Sequence, residues 1–166
     1  MNKLIRMLKH LSYPDWWLRR VLPPDSLHRI EKAVAGSEAG HGGEIRVAFE
    51  TSLGLLPLLR GQTTRSRAEE VFSMLRVWDT EANNGVLIYL LFADHQFEIV
   101  ADRGVARLVE PAHWAHLVSE MEARLGTRGY EEALLYGIQE IGQWVQLKFP
   151  QASGDVNELP DRPVML

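Results

Sequence analysis

Hydrophobic residues recur along this chain with two periods, one typical of amphipathic helices and one typical of strands. Spacings of three and four residues predict four helices, over about 25–37, 64–78, 111–125 and 130–149. Alternation and one unbroken apolar run predict three strands, over 44–51, 86–93 and 96–101. Because strands interleave with amphipathic helices, we expect an α/β fold with helices on both faces of one sheet.

The unbroken apolar run and the alternating run after it predict a β-hairpin. Asp94-His95 between them is typical of a two-residue turn, which would pair Ala93 with Gln96. The turn lacks the glycine that would fix it, and a slip of one residue would reverse the facing side chains. The sheet is therefore expected to be mixed, with one antiparallel pair.

The connecting segments define the domain boundaries. The glycine-rich connector 36–43 follows a helix and precedes a strand, which is the reverse of a phosphate-binding loop. The apolar segment 52–64 predicts a short turn of helix or a flap. Residues 150–166 are polar and contain prolines, which predicts an extended tail. We therefore expect an N-terminal segment (1–22), an α/β domain (23–149) and this tail (150–166).

The first twenty residues carry a net charge of +4, whereas the rest of the chain carries −8. Helical spacing places leucines on one face and basic side chains on another, namely Leu4, Leu8 and Leu11 against Lys3, Arg6 and His10. Trp16 and Trp17 follow. Two interpretations stay open: residues 1–20 lie on an anionic membrane surface, or they pack their leucines and tryptophans onto the domain.

Composition excludes several classes of protein. Cysteine is absent, which removes disulfides, thiolate metal sites and cysteine nucleophiles. The net charge of −4, without a basic face interleaved with aromatic residues, argues against a nucleic-acid partner. His113 and His116 lack the spacing of a zinc protease motif, so we expect them to be exposed polar residues.

Two polar loops flank the hairpin and are expected to meet at its open end. They carry carboxylate, amide and guanidinium groups, namely Asp79, Glu81, Asn83, Asn84, Asp102 and Arg103. Such oxygens suit a hard cation, for example Ca²⁺, although the spacing of an EF-hand is absent. The charge of Arg103 would oppose a cation and would instead pair with Asp102 or Glu81, or bind a phosphate. The alternative is that these loops are polar because they are solvated.

A second candidate site surrounds the start of the helix at about residue 64. Its arginines are Arg60, Arg65 and Arg67. A helix N-terminus that follows a strand end is a possible anion site in an α/β protein. The alternative is a set of surface arginines on a solvated turn.

The loop and strand Asn84-Gly85-Val86-Leu87, set in this order of elements, resemble the TPM domain family over about Pro24–Phe149. The family includes the plant thylakoid lumen protein of photosystem II repair, and its motif usually reads D-N-G-V-L-L. Asn83 replaces the aspartate here, which removes one charge from the presumed cation site. Asp102-Arg103-Gly104-Val105 stands where the family often has G-Y-G-L.

The resemblance implies a three-layer α/β/α sandwich, Ca²⁺ bound near these loops, and the acid phosphatase activity that has been ascribed to the plant member. Many relatives carry a signal peptide and a membrane anchor. We expect this chain to be a bacterial member with neither, located in the cytoplasm with peripheral contact at the inner membrane face.

Two functions follow from these observations. The first is a non-catalytic module that binds a cation or small anion and works with a protein partner at the cell envelope. The second is a weak phosphomonoesterase, in which Asp102 or Asp79 would activate the nucleophile and Arg103 would stabilise the phosphoryl group. Because no phosphatase signature is present, we favour the binding module.

Overall fold

The computed structural model describes residues 3–151 and 156–166. Residues 1–2 of the predicted N-terminal segment and 152–155 of the predicted tail lie outside the described residues. The helices in the described ranges are α1 (Lys3–Ser12), α2 (Asp15–Val21), α3 (Pro24–Glu38), α4 (Leu55–Leu59), α5 (Thr64–Met74), α6 (Arg103–Ala106), α7 (Pro111–Leu125) and α8 (Tyr130–Gln146). The strands there are β1 (Glu44–Glu50), β2 (Gly85–Leu91), β3 (Gln96–Ala101) and β4 (Val164–Met165).

The strands form one mixed sheet in the order β3-β2-β1-β4. β1 runs parallel to β2 and to β4, whereas β2 and β3 form the antiparallel hairpin. The predicted mixed sheet is therefore confirmed.

Helices cover both faces of this sheet, which confirms the α/β/α sandwich. The side chains of Val86, Ile88 and Leu90 share a buried cluster with α3, α7 and α8. Leu87 and Tyr89, which point to the other face, share a second cluster with α5. Because both faces are covered, β2 is buried along its whole length, and this explains its unbroken apolar sequence.

The register of the hairpin differs from the predicted one by two residues. Leu91, rather than Ala93, pairs with Gln96. The cause is a longer connection: residues 92–94 form a turn of 3-10 helix, and His95 takes a left-handed conformation with φ of 54°. Because the shift is an even number of residues, every side chain stays on its predicted face of the sheet.

The helix predicted to reach residue 78 ends earlier, at Met74. Arg76 has a left-handed φ of 54°, and the Val77 amide donates to the Phe72 carbonyl, so the chain turns back towards β2. The Val77 carbonyl then lies so close to Gly85 that an added Cβ would stand 2.0 Å from its oxygen. A glycine is therefore required where β2 begins.

The N-terminal segment forms a helix as predicted, but its orientation differs from that of the packing alternative. The leucines of α1 are exposed, and its polar side chains Arg6 and His10 contact the domain instead. The end of the tail forms β4 on the edge of β1, a strand that the sequence did not predict. No described helix is both long enough and apolar enough to cross a membrane.

Candidate functional site

The two predicted loops do meet at the open end of the hairpin. The amide of Gly104 donates to the carbonyl of Asn83 at 3.0 Å, and the amide of Asp102 donates to the carbonyl of Gly85 at 2.8 Å. Arg103 donates from Nε to Oδ1 of Asn83 at 2.7 Å. The guanidinium of Arg103 is therefore bound to the amide oxygen of Asn83, the residue that replaces the aspartate of the D-N-G-V-L-L motif.

Asp102 serves as the N-cap of α6. Its Oδ1 accepts the amide of Arg103 at 2.7 Å, and its Oδ2 is buried without a hydrogen-bond partner in the described residues. One oxygen thus stabilises the start of a short helix. The other is the only oxygen of this carboxylate that remains available to a ligand.

Asn84 is buried, and its side-chain amide donates to the carbonyl of Gly42. Its Oδ1 has no hydrogen-bond partner among the described residues. Because Val86 pairs with Ala101, strand alternation turns Asn84 and Asp102 towards opposite faces of the sheet. The two orphan oxygens therefore do not form one site.

Asp79 and Glu81 are exposed, and neither takes part in the hydrogen bond between Asn83 and Arg103. The amide of Glu81 donates to the carboxylate of Glu158, with a distance of 3.0 Å to Oε2. This bond ties the predicted loop to the C-terminal tail.

A small polar pocket lies next to Asn84, where β1 begins. Its volume is about 190 Å³, and its polar lining comes from the connection between α3 and β1 and from the C-terminal tail: Glu38, His41, Glu44, Gln151, Asn157 and Asp161. Asn84 adjoins it, because its carbonyl accepts the amide of Glu44 at 3.3 Å. Sequence reasoning missed this pocket; the signal it could have used is the pair of acids Glu38 and Glu44, one inside the glycine-rich connector and one directly after it.

Glu38 is the most perturbed acid of the pocket. Its Oε1 accepts the amide of Ile45 at 2.6 Å, whereas Oε2 is buried without a hydrogen-bond partner in the described part of the chain. Burial raises the pKa of Glu38 to about 8, and the negative charges of Glu44 and Asp161 add to the effect. The amide of Ile45 offsets only part of this shift.

Glu44 is held by the tail. Its carboxylate accepts the amides of Glu158 and Leu159 at 3.1 and 3.0 Å. Two residues further along β1, the guanidinium of Arg46 donates to the carbonyls of Pro160 and Arg162. Burial lowers the pKa of Arg46, and the nearby carboxylates Asp161 and Glu38 oppose that shift. The tail therefore lines the pocket and also binds the buried side chains of Glu44 and Arg46 at the start of β1.

Two of the predicted anion-site arginines already pair with carboxylates. Arg67 binds Glu50 through Nε at 2.8 Å, and Glu50 also accepts the hydroxyl of Tyr89 at 2.6 Å. Burial raises the pKa of Tyr89, and the adjacent negative charge of Glu50 adds to this effect. Arg67 therefore neutralises the half-buried carboxylate of Glu50 at the end of β1.

Arg65 donates to Glu69 at 2.8 Å and to the carbonyl of Ile99 at 2.7 Å. It also stands 3.6 Å from Glu98 in a cleft of about 530 Å³ between α5, β3 and α7. The walls of this cleft are mostly apolar and include Trp114. Arg60 is exposed, and no ion pair involves it in the described residues.

In residues 3–151 and 156–166, no three His, Asp or Glu side chains stand together as a ready-made metal site. Hard cations also take amide and backbone oxygens, so a site with fewer carboxylates is chemically adequate for Ca²⁺. The pocket beside β1 offers such a mixed set of oxygens.

The sequence profile of the TPM domain family matches residues 18–144. No curated protein matches the chain. The NMR structure of BA42 from the psychrophilic bacterium Bizionia argentinensis is similar, with a TM-score of 0.75 and 27% identity over 86% of this chain and 93% of that one. The N-terminal domain of a P. gingivalis protein has a TM-score of 0.65 at 14% identity, over 80% of this chain and 83% of that one, and it supports the fold alone.

Proposed function

Because the chain belongs to the TPM domain family, we propose that it is a non-catalytic binding module that holds a divalent cation at the end of the sheet where β1 and β2 begin. The observation that carries this proposal is the carboxyl group of Glu38. It is buried with one orphan oxygen, and it faces further carboxylates across a small polar pocket. A cation would favour the charged form of this carboxyl, which burial and the neighbouring carboxylates now disfavour.

The proposed donors come from three segments. Glu38 and Asp161 line the pocket and supply carboxylates. Asn84, whose backbone carbonyl accepts the amide of Glu44, carries a buried Oδ1 without a hydrogen-bond partner in the described residues and is the proposed third donor. Ca²⁺ accepts such a mixture at flexible geometry, whereas Mg²⁺ demands a near-ideal octahedron. We therefore propose Ca²⁺ as the preferred ion.

The test is thermal unfolding of the full chain in chelator and in millimolar Ca²⁺, with NaCl at matched ionic strength as the control for charge screening. An ion that binds only the folded state at about 100 times its Kd adds about 2.7 kcal/mol. For a domain of this size, that corresponds to a rise in Tm of about 5–10 °C. Glu38→Gln should abolish the rise, and Asp102→Ala should retain it.

The outcomes separate the two possible positions of the ion. A rise that survives Glu38→Gln but disappears in Asp102→Ala would place the ion at the predicted loop pair instead. If Ca²⁺ raises the Tm of the wild type no more than matched NaCl does, the cation proposal fails.

A weak phosphomonoesterase is the second candidate function, because a carboxylate and a guanidinium are neighbours at Asp102 and Arg103. We rank it second, since one oxygen of Asp102 caps α6, the other is buried, and the guanidinium of Arg103 is bound to Asn83. Turnover of a phosphate monoester that Asp102→Ala abolishes would reverse this ranking.

A further inference from the structure

Helix α1 docks on the domain with its polar side. Arg6 forms an ion pair with Asp94 at 2.8 Å, and Nε2 of the buried His10 lies 3.1 Å from the other oxygen of the same carboxylate. Nδ1 of His10 accepts the amide of Leu53 at 2.9 Å. Because Nδ1 is an acceptor, Nε2 carries the proton and donates to Asp94.

This docking turns the apolar side of α1 outwards. Leu4, Ile5, Leu8 and Leu11 are between 57% and 69% exposed. A surface helix of a globular protein normally buries such a stripe and exposes its charges. The inverted arrangement leaves an apolar surface that residues 3–151 and 156–166 do not cover.

Neighbouring elements extend this surface. α1 packs against α4, and Arg6 also donates to the carbonyl of Gln62 just beyond α4, at 2.6 Å. The leucines of α4 are about half exposed or more, except for Leu58, which enters the core. Trp16 and Trp17, at the start of α2, are exposed as well. We call the exposed apolar side chains of α1, α4 and Trp16–Trp17 the outer face.

Basic residues lie in or next to the segments that form the outer face. They are Lys3, Lys9, Arg19, Arg20 and Arg60. Residues 1–20 hold a net charge of +4 in a chain of net charge −4, and the pairing of Arg6 with Asp94 leaves +3 of it in the segment that carries most of the apolar surface. Exposed leucines and tryptophans with adjacent lysines and arginines match the interface of an anionic bilayer, where apolar groups enter the headgroup region and basic groups meet phosphates.

We propose that the outer face binds the surface of an anionic lipid bilayer. α1 has ten residues, so it would lie in the plane of the membrane and would not cross it. Asp94 follows β2, whereas Asn84 precedes it, so the membrane contact and the cation pocket lie at opposite ends of this strand. The bound domain would therefore direct its pocket away from the lipid.

The experiment is co-sedimentation of the full chain with phosphatidylcholine vesicles that either contain or lack phosphatidylglycerol. We expect binding to the anionic vesicles that weakens as salt is raised. Leu8→Asp should reduce the partition coefficient at least about tenfold, since a leucine that the bilayer would bury is replaced by a charge that the anionic surface repels. Leu147→Asp is the matched control, because Leu147 is 80% exposed at the end of α8, outside the outer face.

A second variant, Lys3→Gln with Lys9→Gln, keeps the leucines and removes two charges. It should weaken binding to anionic vesicles and leave any binding to phosphatidylcholine alone unchanged. Equal thermal midpoints for all variants would show that they remain folded, as expected for changes of exposed residues.

Three results would overturn the proposal. The first is no binding of the wild type to anionic vesicles, and the second is an equal loss of binding in Leu8→Asp and Leu147→Asp. The third is self-association by light scattering that Leu8→Asp abolishes in a chain that does not bind lipid, which would assign the outer face to a second copy.

Discussion

A carboxyl group that is shielded from water and placed near other acids makes the stability of the folded chain depend on pH. Burial penalises the charged form of Glu38 and raises its pKa from the ordinary value of 4.5 to about 8 in the folded chain. Between these values the folded state holds a proton that the unfolded state has lost. The linkage relation then requires stability to fall as the pH rises through this window.

We predict that Glu38→Gln removes this loss of stability. In chelator, the free energy of unfolding of the wild type should fall between about pH 5 and pH 8 by on the order of 3 kcal/mol relative to the variant. Urea denaturation of both proteins at the two pH values measures the difference. Glu81→Gln, a change of an exposed acid, is the control and should follow the wild type; parallel curves for wild type and Glu38→Gln would refute the prediction.

At the residue scale, part of the polar site could be predicted and part could not. The predicted hairpin brought the two loops together, because they flank paired strands, but Arg103 binds Asn83 and not the predicted Asp102 or Glu81. It could not reveal that Asp161 stands near Glu38, since their contact depends on the tail folding back along β1. Local patterns contain no information about such a return of the chain.

Single elements are held by few but specific contacts, and α1 is the clearest case. Burial opposes the ionisation of Asp94, but hydrogen bonds from His10 and Arg6 outweigh it and lower its pKa to about 2. The carboxylate therefore stabilises the docked helix at any pH above its unfolded value, and this contribution is lost as the pH falls towards 2.

We predict that Asp94→Asn releases α1 and costs about 2 kcal/mol, because a nearly buried charged partner of Arg6 and His10 is removed. Hydrogen exchange of the α1 amides at neutral pH should accelerate, while β2 stays protected. Glu132→Gln, which breaks the exposed pair with Arg128, is the matched control and should change neither quantity measurably. Unchanged exchange in α1 would show that other contacts hold the helix.

The elements themselves were largely predictable, but their ends and orientations were not. The apolar run of β2 predicted a strand covered on both faces. It did not predict the turn of 3-10 helix and the left-handed His95, which make the connection to β3 longer than two residues. The amphipathic pattern of α1 correctly predicted a helix. It could not tell which side faces the domain, because that choice depends on Asp94, which lies far away in the sequence.

At the scale of the whole molecule, the tail is part of the sheet and not an appendage. Leu159 is 8% exposed in the cluster on one sheet face, whereas Val156 in the same tail is 72% exposed. Beyond Leu159 the chain reaches β4 and pairs with the edge of β1. Its loss would leave that edge open to pairing with other chains.

We predict that Leu159→Asp lowers the free energy of unfolding by about 3 kcal/mol or more, since it places a charge among apolar side chains and beside Glu44. Val156→Asp should change it by less than about 0.5 kcal/mol. Denaturant titration of the two variants measures both values. Equal midpoints would mean that the tail contributes little to the stability of the domain.

The sequence indicated the α/β class, the mixed sheet and the helices on both faces. These features follow from the hydrophobic spacings that burial in the core requires of each long helix and strand. The polar tail concealed a strand, since two residues paired at a sheet edge need no apolar period. The tail that ends in this strand also lines the pocket, through Gln151, Asn157 and Asp161, so the part of the fold that was hardest to foresee is a wall of the candidate site.

The order of the strands also bears on how the chain folds. Of the pairings in the described sheet, only β2 with β3 joins neighbouring segments, whereas β1 must find β2 across two helices and β4 across most of the chain. Distant pairings bear the entropy of closing long loops before any contact compensates for it. The hairpin is therefore the part of the sheet suited to form early, and the parallel strands on either side of β1 add the slow steps.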